Sequence, residues 1–76
     1  MNLKPTQKAV LKVLYENKDK WVGSYELNKL CKKYGVASNH VENAVKFFMR
    51  NDLVYPPTIE GEIKISPCGI EVYLNN

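Results

Sequence analysis

Apolar side chains recur at helical spacing in two early stretches of the chain. They predict one helix from about Pro5 to Asn17, in which proline stands at an early position that needs no backbone N–H. A second helix is expected to follow Ser24 as its N-cap and to stop at Gly35, because glycine readily takes the left-handed conformation that ends a helix. The apolar positions are Val10, Leu11, Val13, Leu14, Tyr15, Leu27, Leu30, Cys31 and Tyr34.

A third helix is expected to begin at Ser38 or Asn39 as its cap and to end near Asn51. At 100° per residue its apolar side chains gather within about 100° of arc and should face the core. Those apolar positions are Val41, Ala44, Val45 and Phe48. The opposite side, within about 60° of arc, carries two amides, two cations and no acid. We call this set the amide-and-cation ridge; it consists of Asn39, Asn43, Lys46 and Arg50.

Short strands and a fourth helix complete the predicted order. Alternating apolar residues predict strands at Leu53–Tyr55 and Glu62–Ser66, which Gly61 would help to join as a hairpin, and a very short strand at Trp21–Val22. Ser66–Pro67 has the cap-then-proline pattern of a helix start. The expected order is helix, short strand, helix, helix, hairpin and short helix, in one domain that takes up the whole chain.

The segment from Ser24 to Arg50 resembles a helix-turn-helix. Such segments place a small residue four positions before the turn glycine, and here Cys31 stands four positions before Gly35. They also need apolar residues around that pair and inside the second helix. The matching positions are Leu30, Tyr34, Val36, Val41 and Ala44. The hairpin after Asp52 and the tail from Ser66 to Leu74 look like those of small bacterial and archaeal winged-helix regulators.

This resemblance implies an α+β, mostly helical winged helix-turn-helix fold, with a three-helix core, a β-hairpin wing and a short C-terminal helix. It implies a DNA-binding protein, a small transcriptional regulator that reads duplex DNA with helix 3 in the major groove. At Asn51-Asp52, where glycine is common, Asn51 is expected to take the left-handed conformation. The wing carries Glu60 and Glu62 with only Lys64 as a cation, so it is not expected to grip a phosphate.

Helix 3 supplies most of the expected DNA contacts. Asn43 has the donor and acceptor that match an adenine edge, Lys46 suits a guanine edge or a phosphate, and Arg50 suits a phosphate. The expected DNA-binding residues are Ser38, Asn39, His40, Asn43, Lys46, Arg50, Lys29 and Lys33. For each of them the alternative is an ordinary solvated surface position. Glu42 is expected to pair with Lys46 four residues on.

Two neighbouring features extend this reading of helix 3. Lys4, Lys8 and Lys12 form a basic edge on helix 1 and are further candidates for phosphate contacts. Phe47 is expected to pack under the hairpin near Tyr55.

Charge is unevenly distributed along the sequence. Residues 1–50 hold ten Lys and Arg against four Asp and Glu, a net +6, whereas residues 51–76 hold one against four, a net −3. A basic half of this kind favours a polyanion. The alternative is a protein-protein interaction module without DNA binding, which the acidic half supports. A small module buries only about 600–1,000 Å² on DNA, so a homodimer or protein partner is also possible.

No enzyme class fits the sequence, and no catalytic, cofactor-binding or metal-binding residue is expected. The four glycines are scattered, so no phosphate-cradling loop is present. Cys31, Cys68 and His40 fall short of the four ligands that a structural zinc site needs. Cys31 is interpreted as a small packing residue. The absence of a long apolar run or a signal-peptide pattern leads us to expect a cytoplasmic protein without membrane contact.

Overall fold

Proline opens the first and the last of the four helices in the computed structural model, which describes all 76 residues. α1 spans Pro5–Glu16, α2 spans Ser24–Lys32, α3 spans Ser38–Arg50 and α4 spans Pro67–Leu74. The four helices that the apolar pattern predicts are therefore present. None of them is both long enough and apolar enough to cross a lipid bilayer.

The predicted α+β fold is wrong, because no strand or sheet forms. The protein is an all-helical domain of four helices without a β-hairpin wing, which overturns the winged helix-turn-helix architecture. The extended residues pair only at two isolated antiparallel bridges, Val22 with Ile63 and Val54 with Ile65. The first bridge carries two hydrogen bonds, from each N–H of Val22 and Ile63 to the other's carbonyl, at 2.7 and 2.8 Å.

Two prolines explain why the hairpin ladder does not extend. Pro56 and Pro57 directly follow the first predicted strand and have no N–H to donate. Thr58 and Glu62 then close a turn of their own. The Thr58 N–H donates to the Glu62 carbonyl at 3.1 Å, and the Glu62 N–H donates to Thr58 Oγ1 at 3.0 Å. Gly61 supports this turn with a φ of +82°.

The connection between α3 and α4 packs onto the helices instead of projecting from them. Its side chains Leu53, Val54, Ile63 and Ile65 are all buried. They join the inward faces of the helices in one core of sixteen side chains, in which Phe48 is the only aromatic residue. The alternation of apolar residues that suggested a hairpin therefore arises because the segment between α3 and α4 is buried against this core.

The two serines predicted to cap α2 and α3 are instead their first residues. The N-caps are Gly23 and Ala37, both extended, and neither offers a side-chain acceptor. The backbone N–H groups of Ser24 and Ser38, at the first position of each helix, therefore have no hydrogen-bond acceptor within their own helices. α2 ends at Lys32, three residues before the predicted stop, but the predicted left-handed glycine is confirmed: Gly35 has a φ of +75° and its N–H donates to the Lys32 carbonyl at 2.9 Å.

The end of α3 and the start of α4 are held by one small hydrogen-bonded unit. Asp52 takes the left-handed conformation, with a φ of +58°, rather than Asn51, whose Nδ2 donates to the Phe47 carbonyl at 2.9 Å. The expectation for Asn51 is thus wrong by one position. Ser66 Oγ donates to the Asp52 carbonyl at 2.7 Å and accepts from the Gly69 N–H at 3.1 Å, which caps α4 as predicted.

The start of the chain is tied to the end of α4. Asn76 Oδ1 accepts from the Leu3 N–H at 3.2 Å, and Asn76 Nδ2 donates to the Val72 carbonyl at 2.7 Å. These bonds hold the residues that lead into α1 beside the last turn of α4.

Candidate nucleic-acid interface

The amide-and-cation ridge lies on the outer side of α3, and all four of its side chains are exposed. The opposite side of the helix is buried, with Phe48 at 0% and Ala44 at 2% exposure. The division predicted from helical periodicity is therefore confirmed. α3 has 13 residues and so is about 20 Å long at 1.5 Å per residue.

The beginning of α3 presents polar groups to solvent. Ser38, Asn39 and His40 are exposed, and the Ala37 cap leaves the first N–H groups without a side-chain acceptor. The positive end of the helix dipole lies here as well, which favours an anion nearby. His40 lies outside the surface clefts described below, so it is placed at the interface only by its position on the helix.

A shallow cleft of about 300 Å³ separates the outer side of α2 from the start of α3. Lys29 and Lys32 line it together with Ser38. The Lys29 ammonium lies 5.3 Å from the centroid of the Tyr25 ring. Lys33, which the sequence favoured, is exposed at the end of α2 but does not line this cleft. Lys32 therefore replaces Lys33 as the second cation beside the start of α3.

The inner groove between α2 and α3 has mixed chemistry. It has a volume of about 490 Å³, and Glu42, Lys46 and Met49 are among its lining residues. Lys46 Nζ lies 3.3 Å from Glu42 Oε1, so the predicted pair is confirmed. Asn28 also lines the groove, and its buried Oδ1 has no hydrogen-bond partner. The Glu42 carboxylate makes this side of α3 the less favourable one for a polyanion.

The other side of α3 faces the start of α1 across a cleft of about 400 Å³. We call it the α1–α3 cleft, and it contains three cations, three side-chain amides, one aromatic ring and no carboxylate. It is lined by Asn2, Lys4, Gln7, Asn43, Lys46, Phe47 and Arg50. Three of the four residues of the amide-and-cation ridge thus share one concave surface with residues more than thirty positions away in the sequence.

The basic edge predicted on α1 is divided by the fold. Lys4 lines the α1–α3 cleft, whereas the exposed Lys8 lines none of the clefts described here. Lys12 lies with its ammonium 5.2 Å from the centroid of the Tyr34 ring. Sequence spacing grouped the three lysines, but only the crossing of α1 over α3 could show that Lys4 alone approaches the ridge.

Two of the four exposed aromatic residues, Trp21 and Tyr55, lie on a different flank of the molecule, whereas Tyr25 lines the cleft beside the start of α3. Phe47 is half-buried in the wall of the α1–α3 cleft, so its predicted position near Tyr55 is wrong. Tyr55 instead lies beside Trp21, with ring centroids 6.2 Å apart. Trp21, Tyr55 and Met49 are each between 37% and 40% exposed, and we call these three side chains the rim patch.

The two cysteines lie in opposite environments. Cys31 is fully buried in α2, and burial raises the pKa of its thiol from 9.0 to about 11. The thiol therefore stays protonated at neutral pH and packs as a small apolar group, as the sequence suggested. Cys68 is a free cysteine on the surface of α4.

Alkaline solution should destabilise the protein through Cys31. Between pH 9 and 11 the unfolded chain releases this proton while the folded chain keeps it, so the unfolding free energy falls as pH rises. The contribution is fully present below pH 9 and lost by about pH 11, at about 1.4 kcal/mol per pH unit. We expect urea titrations of wild type to show about 2 kcal/mol more loss over this range than Cys31→Ala. Parallel pH profiles of the two proteins would contradict this expectation.

Comparison with protein-family models, with curated protein sequences and with solved structures found no match to this chain. The chemistry of the surface around α3 is therefore the basis for assigning a function.

Proposed function

We propose that this protein binds duplex DNA by placing α3 in the major groove. The observation that carries the proposal is the exposed amide-and-cation ridge, which runs along a 13-residue helix and contains no carboxylate. The B-DNA major groove is about 12 Å wide and about 8.5 Å deep, and it admits a single α-helix of this kind. The proposed function is binding alone, without a catalytic step or a cofactor.

Each ridge side chain has a defined role in this proposal. Asn39 and Asn43 each carry a donor and an acceptor on one amide, the pair that an adenine presents on its major-groove edge. Lys46 at the centre of the ridge meets a guanine edge or a phosphate. Arg50, close to the end of α3, meets a phosphate where the groove curves away. The cations of the neighbouring cleft, Lys29 and Lys32, add phosphate contacts beside the start of the helix.

Base contacts of this kind make sequence-selective binding the expected outcome. The protein would then act in the cytoplasm as a small transcriptional regulator. One module of this size buries only about 600–1,000 Å² of its surface on DNA, so tight selective binding calls for a second copy or a partner.

We expect a labelled random-sequence DNA duplex to bind at low salt and to be released steeply as salt is raised. Four cations on four phosphates, two from the ridge and two from α2, give a slope of log K against log salt of about −3.6. Fluorescence anisotropy over a salt series measures this slope. A double-stranded RNA of the same sequence should bind at least about tenfold more weakly, because its deep, narrow major groove excludes a helix.

Two results would contradict the proposal. No binding of the DNA duplex at about 50 mM salt would remove duplex DNA as the partner. Equal binding of the DNA and RNA duplexes would show that only charge is recognised and that α3 does not enter a groove.

A second candidate function is docking of another protein, and the rim patch favours it. Three large apolar side chains, Trp21, Met49 and Tyr55, stand partly exposed on one flank of the molecule. Pro56 and Pro57 line a cleft of about 250 Å³ with Met49 and Tyr55. A protein that bound neither DNA nor RNA in the salt series would leave this interaction module as the better account.

A further inference from the structure

We propose that the α1–α3 cleft is a phosphate-binding site that holds one backbone phosphodiester of the duplex. This inference rests on the proposed function and adds a specific anchor to it. The site combines Lys4 from the start of the chain with Lys46 and Arg50 from α3.

The lining of the cleft selects for an anion. Lys4, Lys46 and Arg50 bring three positive charges to one concave surface, and no carboxylate lies among the lining residues. The inner groove on the opposite side of α3 differs in this respect, because Glu42 lies there next to Lys46. A polyanion in contact with α3 is therefore attracted more strongly on the α1 side than on the α2 side.

Side-chain amides supply hydrogen-bond donors that suit phosphate oxygens. The Gln7 Oε1 atom accepts from the Lys4 N–H at 2.9 Å, so the acceptor of this amide is already used. Its Nε2 group is left to donate toward the cleft. Asn2 adds a second amide from the start of the chain. Together with the guanidinium of Arg50, these groups can contact several oxygens of one phosphate.

The wall of the cleft suits a phosphodiester better than a bare ion. The half-buried ring of Phe47 forms an apolar part of the wall, which suits the sugar next to a backbone phosphate.

The position of Lys4 is fixed before any ligand arrives. Its backbone N–H is bonded to Gln7, and the preceding Leu3 N–H is bonded to Asn76 Oδ1 at 3.2 Å. The chain that carries Lys4 is therefore already ordered, which lowers the entropy lost on binding.

The test compares Lys4→Ala with Lys8→Ala in the salt series on the DNA duplex. Both lysines are exposed and each variant removes one charge, but only Lys4 lines the cleft. We expect Lys4→Ala to weaken binding about tenfold at 50 mM salt and to lower the salt slope by less than about 0.9, because Lys46 and Arg50 still contact the same phosphate. Lys8→Ala should keep the wild-type slope, and Lys4→Arg should restore most of the affinity. Circular dichroism checks that all variants are folded.

The outcomes separate this inference from the proposed function. If wild type binds the duplex and Lys4→Ala behaves like Lys8→Ala, the cleft site is overturned while DNA binding stands. If wild type fails to bind any duplex, the proposed function and the cleft site both fall. A titration with sodium phosphate, followed through the side-chain NMR signals of Gln7 and Asn43, distinguishes the two phosphate sources. Saturation by free phosphate at micromolar concentration would overturn the assignment to a backbone phosphodiester.

Discussion

Replacing Gly69 with alanine is expected to cost about 3 kcal/mol or more of the unfolding free energy, through overpacking and loss of the α4 cap. A Cβ atom at this position would lie 2.0 Å from the Leu53 carbonyl oxygen and 2.8 Å from Ile65 Cγ1. The first of these atoms belongs to the backbone and cannot rotate away. α4 would have to move, and that movement would break the Ser66 N–H bond to the Leu53 carbonyl and the bonds of Ser66 Oγ.

Urea denaturation followed by circular dichroism measures this loss. A chain of 76 residues is expected to have about 4–10 kcal/mol of stability in all, so a loss of this size leaves a large unfolded fraction on warming. Gly23→Ala is the matched control, because a Cβ at Gly23 meets no atom within 4 Å. It should change the unfolding free energy by less than about 1 kcal/mol. Equal stability of the two variants would mean that α4 does not lie so close to Leu53.

Replacing Lys46 and Arg50 together with alanine is expected to weaken duplex binding about 100-fold at 50 mM salt. Both side chains belong to the exposed ridge and both line the α1–α3 cleft. The loss of both cations lowers the salt slope by at most about 1.8. The Glu42 carboxylate, which now pairs with Lys46 at 3.3 Å, would be left unpaired beside the DNA and would add repulsion.

A control of equal charge tests whether position or net charge matters. Lys8→Ala with Lys18→Ala removes two cations that are exposed and line none of the clefts beside α3. We expect less than about fivefold weaker binding at the same 50 mM salt, because cations that do not contact a phosphate release no bound counterion. A duplex affinity of the Lys46/Arg50 double variant equal to that of wild type would reject α3 as the contact surface.

The helices of this fold could be predicted from sequence, but the structure of the segment that connects α3 to α4 could not. Periodicity places Val41, Ala44 and Phe48 on the buried side of α3 because local geometry alone decides this. The alternation of Leu53 and Val54 with later isoleucines looks the same for a projecting hairpin and for a segment packed on a core. Only the missing N–H groups of the two prolines and the turn at residues 58–62 favour the second arrangement.

The residues of the candidate site likewise fall into those that sequence could identify and those that it could not. The ridge is a property of one helix, so its members could be named from the sequence. The α1–α3 cleft is a property of two helices, and the approach of Lys4 to Asn43 depends on how α1 crosses α3. Lys32 and Lys33 are neighbours in sequence, and only the observed rotation of α2 places Lys32 rather than Lys33 beside Ser38.

The bonds of Asn76 give α4 a part in the energetics of the cleft on the far side of α1. Its side chain joins the Leu3 N–H to the Val72 carbonyl, and Leu3 directly precedes Lys4. A ligand held by Lys4 would therefore favour the docked form of α4, and by thermodynamic reciprocity a firmly docked α4 would raise the affinity for that ligand. Partial fraying of α4 would then lower the fraction of α1–α3 clefts that hold a ligand, without any change in the residues that touch the ligand.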